Sequence, residues 1–264
     1  MFQKINMFGF PRIARKTFHN NFLRTIVFQV QFSDNKIVLE KSAAIKELFK
    51  EEFPRSNDAI SQGFNIQLSK DKTPILQSIA NSRTGIELRS ADGQKALNIN
   101  TNSLTLTIAG KAYRSFDDIE KFFGKFNQIF KFCRIEDVVR LAIRKVNIIE
   151  FEIVGNNQLE AMQYLLSNEL SSNVSIFPDS EYINQSIQTI NYKRDNCHLN
   201  LRYGMAIVPN KKNGQVIIDI DLFDLTPLKI DKIQIKANEL NTEIFNIFNW
   251  TLSEKAKKLL DGKT

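Results

Sequence analysis

Histidine is nearly missing from this sequence: His19 and His198 are the only two among 264 residues. A Ser-His-acid triad would have to use one of them, and no G-x-S-x-G turn is present to expose a nucleophilic serine. Cysteine is as scarce, with only Cys133 and Cys197. Two distant thiols make no disulfide framework and fit a reducing compartment. The Cys and His residues include no C-x-x-C pair, whereas a structural zinc site takes about four such ligands. Glycine (10) and proline (6) are also few. The closest glycines, Gly85 and Gly93, stand eight residues apart, so neither a G-x-G-x-x-G fingerprint nor a Walker-type loop can be written. No run of about 18 apolar residues is present to span a bilayer. The opening MFQKINMFGFPRIARKTF interleaves cations and Pro11 with its apolar residues, unlike a signal peptide. These absences predict a cytoplasmic protein with no membrane contact and no cofactor, and they favour a non-enzymatic role.

What the chain does have is phenylalanine, 21 residues within a hydrophobic fraction of 42%. That is ample for a buried core. The net charge of +7 sits at the ends. Residues 1–33 carry Lys4, Arg12, Arg15, Lys16 and Arg24 with no Asp or Glu, and the last eleven residues carry a further excess of lysine. The body between, residues 34–253, is neutral. A nucleic-acid-binding face normally lies on the folded body, so the charge points to a basic arm over residues 1–18 that could touch phosphates or an acidic partner.

Periodicity supplies the elements. FLRTIVFQVQF (22–32) alternates as a strand with Ile26, Phe28, Val30 and Phe32 on one face. Residues 40–53 carry a helical stripe ended by Pro54. Short strands are predicted at 63–69, 85–90, 95–100 and 103–110, with turns at Asp92-Gly93 and Asn100-Thr101-Asn102. An amphipathic helix follows from Phe116 to Phe132, with Ser115 as its N-cap. The pattern then restarts: a long strand over 137–154, a helix over 157–168, strands at 174–177, 186–193, 198–208 and 215–223, and a helix over 237–260 with a bend near Trp250-Thr251. Both halves read β-α-β-β-β-β-α. The predicted fold is α+β, two pseudo-duplicated antiparallel-sheet halves (19–134 and 135–264) with helices on one side, packed through their long first strands.

The strongest chemical pattern is VIIDIDLFDL (216–225). On a strand Asp219 and Asp221 share a face with side chains ~7 Å apart, and paired carboxylates can hold Mg²⁺ or exchange protons. With Asp224 beyond them, a metal-dependent nuclease is one reading. The other is a solvent face, or a cross-strand ion pair for which Arg202 is the natural partner. Arg140 and Arg144 share a face of the long strand and suit either phosphates or carboxylates. In the arm, Phe2, Phe8, Phe10 and Phe18 alternate with Lys4, Arg12, Arg15 and Lys16, a mixture that suits single-stranded nucleic acid or a tail folded onto the body.

Several phrases occur in an order that resembles a known family: GIELRSADGQKALNINTNSLTLTIAGKAYRSFDDIEKFF, VVRLAIRKVNIIEF, LNLRYGMAIV, VIIDIDLFDL and LNTEIFNIFNWTLSEKAKKLL. They resemble a sporadically distributed bacterial family known chiefly as conserved hypothetical proteins, over residues 20–260. The matching positions include Tyr113, Phe116, Arg144, Asn147, Arg202, Tyr203, Asp219, Asp221, Phe248 and Thr251. The resemblance implies an accessory role beside phage-defence or toxin–antitoxin genes. The strand-rich half is similar in outline to the SecB-type export-chaperone fold, and fold alone does not fix function.

The functional expectation is a protein-binding subunit, adaptor or chaperone-like, with a protein partner or a second copy of itself. A nucleic-acid-binding subunit using residues 1–18 is the alternative, and a metal-dependent hydrolase at Asp219 and Asp221 the second. Grooves lined by phenylalanine would support the chaperone form; an arginine-paired Asp219 would remove the metal site.

Overall fold

The computed structural model describes residues 7–14, 18–68, 74–153, 158–171, 183–207 and 213–262, with backbone only at 61–68, 74–82, 158 and 159. In chain order the first half comprises β1 (Leu23–Gln31), α1 (Ile37–Glu40), α2 (Ser42–Leu48), β2 (Arg55–Leu68), β3 (Pro74–Arg89), β4 (Lys95–Asn100), β5 (Ser103–Ala109), α3 (Asp117–Glu120) and α4 (Phe123–Phe132). The second comprises β6 (Asp137–Val138), β7 (Arg140–Glu152), α5 (Gln158–Leu165), α6 (Asn168–Ser171), β8 (Gln185–Arg194), β9 (Cys197–Ile207), β10 (Asn213–Asp224), β11 (Leu228–Lys229), α7 (Ile233–Thr251) and α8 (Glu254–Leu260).

The fold is α+β, with helices on one side of a large antiparallel sheet. The two first strands meet as expected, but edge to edge: β1 pairs antiparallel with β7, from Thr25↔Val146 to Gln31↔Arg140. Two half-sheets therefore become one nine-stranded sheet, ordered β2-β3-β4-β5-β1-β7-β10-β9-β8. From the central pair both halves run outward the same way, each last strand lying next to its first. The strand expected at 174–177 lies outside the described residues. The strands expected at 63–69 and 85–90 belong to one long hairpin, β2–β3, of which β4 joins only Gly85–Arg89.

Alternation sets the faces. Ile26, Phe28 and Val30 of β1 are fully buried under the helices, and Thr25, Val27 and Gln29 between them are half-buried on the other side. The phenylalanine wealth builds one aromatic layer. Phe28 meets Phe123 edge-on at 5.4 Å and Phe126 in parallel at 6.0 Å, while Phe49, Phe53 and Phe122 close around Phe126. These are the offset and edge geometries that aromatic quadrupoles favour. The helix expected at 116–132 is split into α3 and α4, the one expected at 40–53 shortens to α2 with the separate turn α1 before it, and the C-terminal helix breaks at Leu252-Ser253, beside the expected bend. There Ser253 accepts the Ala256 N–H at 3.0 Å and caps α8. Gly204 stands inside β9 at φ +142°, where a Cβ would lie 1.9 Å from the Ser186 carbonyl of β8; only glycine allows this approach.

The segment before β1 lies along α7. The Phe8 and Ile13 N–H groups donate to Glu243 and Asn246 at 3.2 and 3.3 Å. Its rings pack inward: Phe8 on Tyr192, Phe10 on Trp250, Phe18 on Phe245.

Truncating Phe126, at the centre of the aromatic layer, is expected to cost ~3–5 kcal/mol as lost transfer energy plus a cavity. Urea unfolding of Phe126→Ala against wild type measures it.

Candidate functional site

The sequence-predicted residues gather on the helix-free face, where β1, β7, β10 and β9 run side by side. In register, Asp219 lies opposite Val146 and Arg202, Asp221 opposite Arg144 and Asn200, and Phe223 opposite Ala142 and His198. The alternate residues Val216, Ile218, Ile220 and Leu222 are fully buried under the helices. Asp219 is paired, with a different arginine from the expected one. Arg144 reaches diagonally and grips it with two bonds, Nε to Oδ1 at 2.8 Å and Nη2 to Oδ2 at 2.6 Å. The planar Arg144 fork spans both carboxylate oxygens. Arg202 stays exposed.

Asp221 is held more loosely. Its Oδ2 is 3.9 Å from Arg140 and accepts from Asn200 Nδ2 at 3.4 Å. Burial raises its carboxyl above the ordinary value, opposed by the charges of Arg140 and Arg144 and the Asn200 bond. Arg140 also donates to Gln29, which donates to Thr105 at 3.2 Å. A polar chain thus crosses five adjacent strands, from Thr105 on β5 through Gln29, Arg140 and Asp221 to Asn200 on β9. The Arg140 guanidinium lies 4.4 Å over the Phe223 ring, and His198 stacks on the same ring at 4.9 Å.

Both Asp219 oxygens accept from Arg144, which balances the carboxylate's charge and weakens its pull on a cation, and no group of three or more His, Cys, Asp or Glu suited to a metal occurs among the described residues. Asp224, expected near the pair, points to the opposite face. Burial alone would raise its carboxyl, but hydrogen bonds from Lys236 (2.5 Å) and Thr226 outweigh this and lower it to about 2. Burial and the neighbouring Asp224 push the Cys197 thiol up to about 11. His198 lies on the far side of the sheet from Cys197, so the two form no nucleophile–base pair. Cys133 is fully buried. His19 packs near Gly262. Of the arm's cations, Arg12 is exposed, and Lys4, Arg15 and Lys16 lie outside the described residues. The arm's Phe8, Phe10 and Phe18 are turned onto the body, away from any base-stacking role.

A second feature was not expected from the chain. On the helix side of the β1–β7 pair is a cavity of about 340 Å³. Phe18, Phe22, Phe116, Phe245 and Phe248 supply much of its wall. Its floor is Lys145 and Asn147 of β7, with Asn241 of α7 above them. Lys145 Nζ donates to Asn241 Oδ1 at 2.8 Å and lies 5.4 Å from the Tyr113 ring centre. The one available signal was alternation: if Arg144 faces away from the helices, Lys145 must face them.

No family model matches the chain, and no curated protein matches it. Among solved structures, the crystal structure of the di-domain ARO/CYC StfQ from the steffimycin biosynthetic pathway aligns with 86% of this chain and 97% of its own. The identity is 6% and the TM-score 0.14, a likeness that carries no argument.

Asp224 gives a pH prediction. Its folded value of about 2 lies below the ordinary 3.8. Its stabilisation is therefore complete above about pH 4 and is lost as pH falls toward 2. Asp224→Asn should lower stability at neutral pH and flatten its decline over that window, read from urea midpoints at stepped pH.

Proposed function

We propose that this chain is a non-enzymatic protein-binding subunit that docks its partner on the helix-free face of the sheet. One observation carries the reading. Val27, Val146, Ile148 and Ile217 form a half-exposed apolar strip at the centre of that face, bordered by the Arg140, Arg144, Asp219 and Asp221 array. An apolar centre with a polar rim is how protein interfaces are built. The charges largely neutralise one another, which sets geometry and excludes poorly matched partners more than it attracts any one polymer.

The nucleic-acid alternative draws less support. Binding phosphates takes cations that displace the counterions around them; on the sheet face the Arg144 charge is already balanced by Asp219, and in the arm Phe8, Phe10 and Phe18 pack on Tyr192, Trp250 and Phe245. A chaperone-like form, which open phenylalanine grooves would support, is less favoured: Phe28, Phe49, Phe53, Phe122 and Phe126 are fully buried, and the phenylalanine-walled cavity beside the β1–β7 pair, about 340 Å³, is small for a client chain. A setting in phage defence or toxin–antitoxin systems rests on the sequence resemblance alone.

The test uses charge reversal at exposed positions outside the ion pairs, Arg202→Glu with Lys193→Glu. The tagged chain is isolated from its host after nuclease treatment. A stoichiometric polypeptide should copurify with wild type and be lost from the double variant, whose melting temperature stays unchanged. Equal recovery by both proteins, or copurifying material that disappears with nuclease, would reject the docking face.

A further inference from the structure

We propose that the cavity beside the β1–β7 pair is a binding site for a small carboxylate with a bulky apolar body, about the size of a two-ring aromatic acid. The cavity lies on the opposite side of the sheet from the docking face. Four structural features argue for a ligand rather than a packing fault.

The first is how the cavity is built. The sheet beneath it is continuous, and α7 packs on β7 and β10. The first half's helices pack on β1, where Phe28 meets Phe123 and Phe126. The two helical layers touch through the Asn238–Glu120 hydrogen bond and leave a gap above the seam. The gap is roofed by the chain leading into β1, which is tied down where Asn20 Nδ2 donates to the Leu259 carbonyl at 2.6 Å and Asn20 N to that of Leu260 at 2.9 Å.

The second is size. An apolar cavity of about 150 Å³ holds one benzene, and this one is about 340 Å³. Its five phenylalanines present ring faces and edges suited to aromatic or bulky aliphatic groups. The third is the polar end. Asn147 and Asn241 are buried, at 6% and 3% exposure. Together with Lys145 they place an ammonium and two amides beside the phenylalanine wall, with Asn20, Asn21, Arg114 and Ser115 also on the lining. A few convergent polar groups in an apolar pocket are the usual form of a small-molecule site. The fourth is charge. Lys145 and Arg114 are the charged residues lining the cavity, and no Asp or Glu lines it. An anionic head group therefore meets a favourable field, with Lys145 as the charged contact and Asn241 positioning it.

The probes are 2-naphthoate and its neutral isostere 2-naphthamide, titrated calorimetrically into the full chain. Wild type should bind the carboxylate at least about tenfold more tightly than the amide, the margin of one charge-assisted bond. Lys145→Met should bring the two affinities together while keeping the weaker one. Ile244→Trp, which fills the chamber, should abolish both. Should either variant fail to fold, the side-chain amide NMR resonances of Asn147 and Asn241 in wild type provide the readout: both should shift with the carboxylate and less with the amide. No binding of 2-naphthoate to folded wild type, or binding that leaves both asparagines unshifted, overturns the site. An unchanged preference for the carboxylate in Lys145→Met overturns the role given to the lysine.

Discussion

Seven consecutive residue pairs between β1 and β7, from Thr25↔Val146 to Gln31↔Arg140, turn two half-sheets into one. Without that ladder each half would expose the backbone N–H and C=O groups of its apolar first strand, an edge that invites aggregation. With it, both strands become central and their polar groups are paired on two sides. Everything placed near the middle of the molecule depends on the register of this pair. A slip of one residue would exchange the two faces of β7, driving Arg144 beneath α7 and Lys145 out onto the helix-free side. The apolar residues Leu141 and Ile143, buried in the core, oppose that slip with ~2 kcal/mol or more apiece.

Much of this was legible in the chain. The alternation of Ile26, Phe28, Val30 and Phe32, the turns at Gly93 and Asn102, the β9–β10 hairpin and the bend in the last helix all follow from local pattern. The doubling of the topology was legible too, because each half repeats its order of elements. The way the halves meet was not: two sheets packed face to face and two joined at an edge place the same strands side by side, and only the hydrogen-bond ladder separates them. The split between α3 and α4 was hidden for a different reason. The apolar stripe from Phe116 to Phe130 continues across Lys121-Phe122, so burial gives no sign of the break; it shows only in the backbone.

The site divides along the same line. Sequence spacing correctly put Asp219 and Asp221 on one face and named an arginine pair as the alternative to a metal. It chose Arg202 because that residue sits on the neighbouring strand of an obvious hairpin. The actual partner, Arg144, comes from the strand on the other side, and β7 and β10 are neighbours only in the folded sheet. Asp224 was grouped with the pair by proximity in sequence, yet an odd step along a strand sends it to the far face, where Lys236 from α7 meets it. For the cavity, alternation along β7 was the one sequence signal, since Phe18, Phe116, Phe245 and Asn147 come from four separate segments.

Arg144 and Lys145 show how one strand serves two environments. Neighbours in the chain, they project from opposite faces of β7, and each has the cation chemistry its face can use. On the open side Arg144 is half-exposed and its side chain is extended across β10. A planar fork holds a carboxylate in a fixed orientation there, where a single ammonium would leave it free to turn. On the covered side Lys145 donates to the Asn241 oxygen, one point rather than two, set among aromatic rings. A compact ammonium fits that geometry. The Arg144–Asp219 pair therefore fixes the shape of a surface, and the covered lysine lends its charge to a chamber walled largely by phenylalanine.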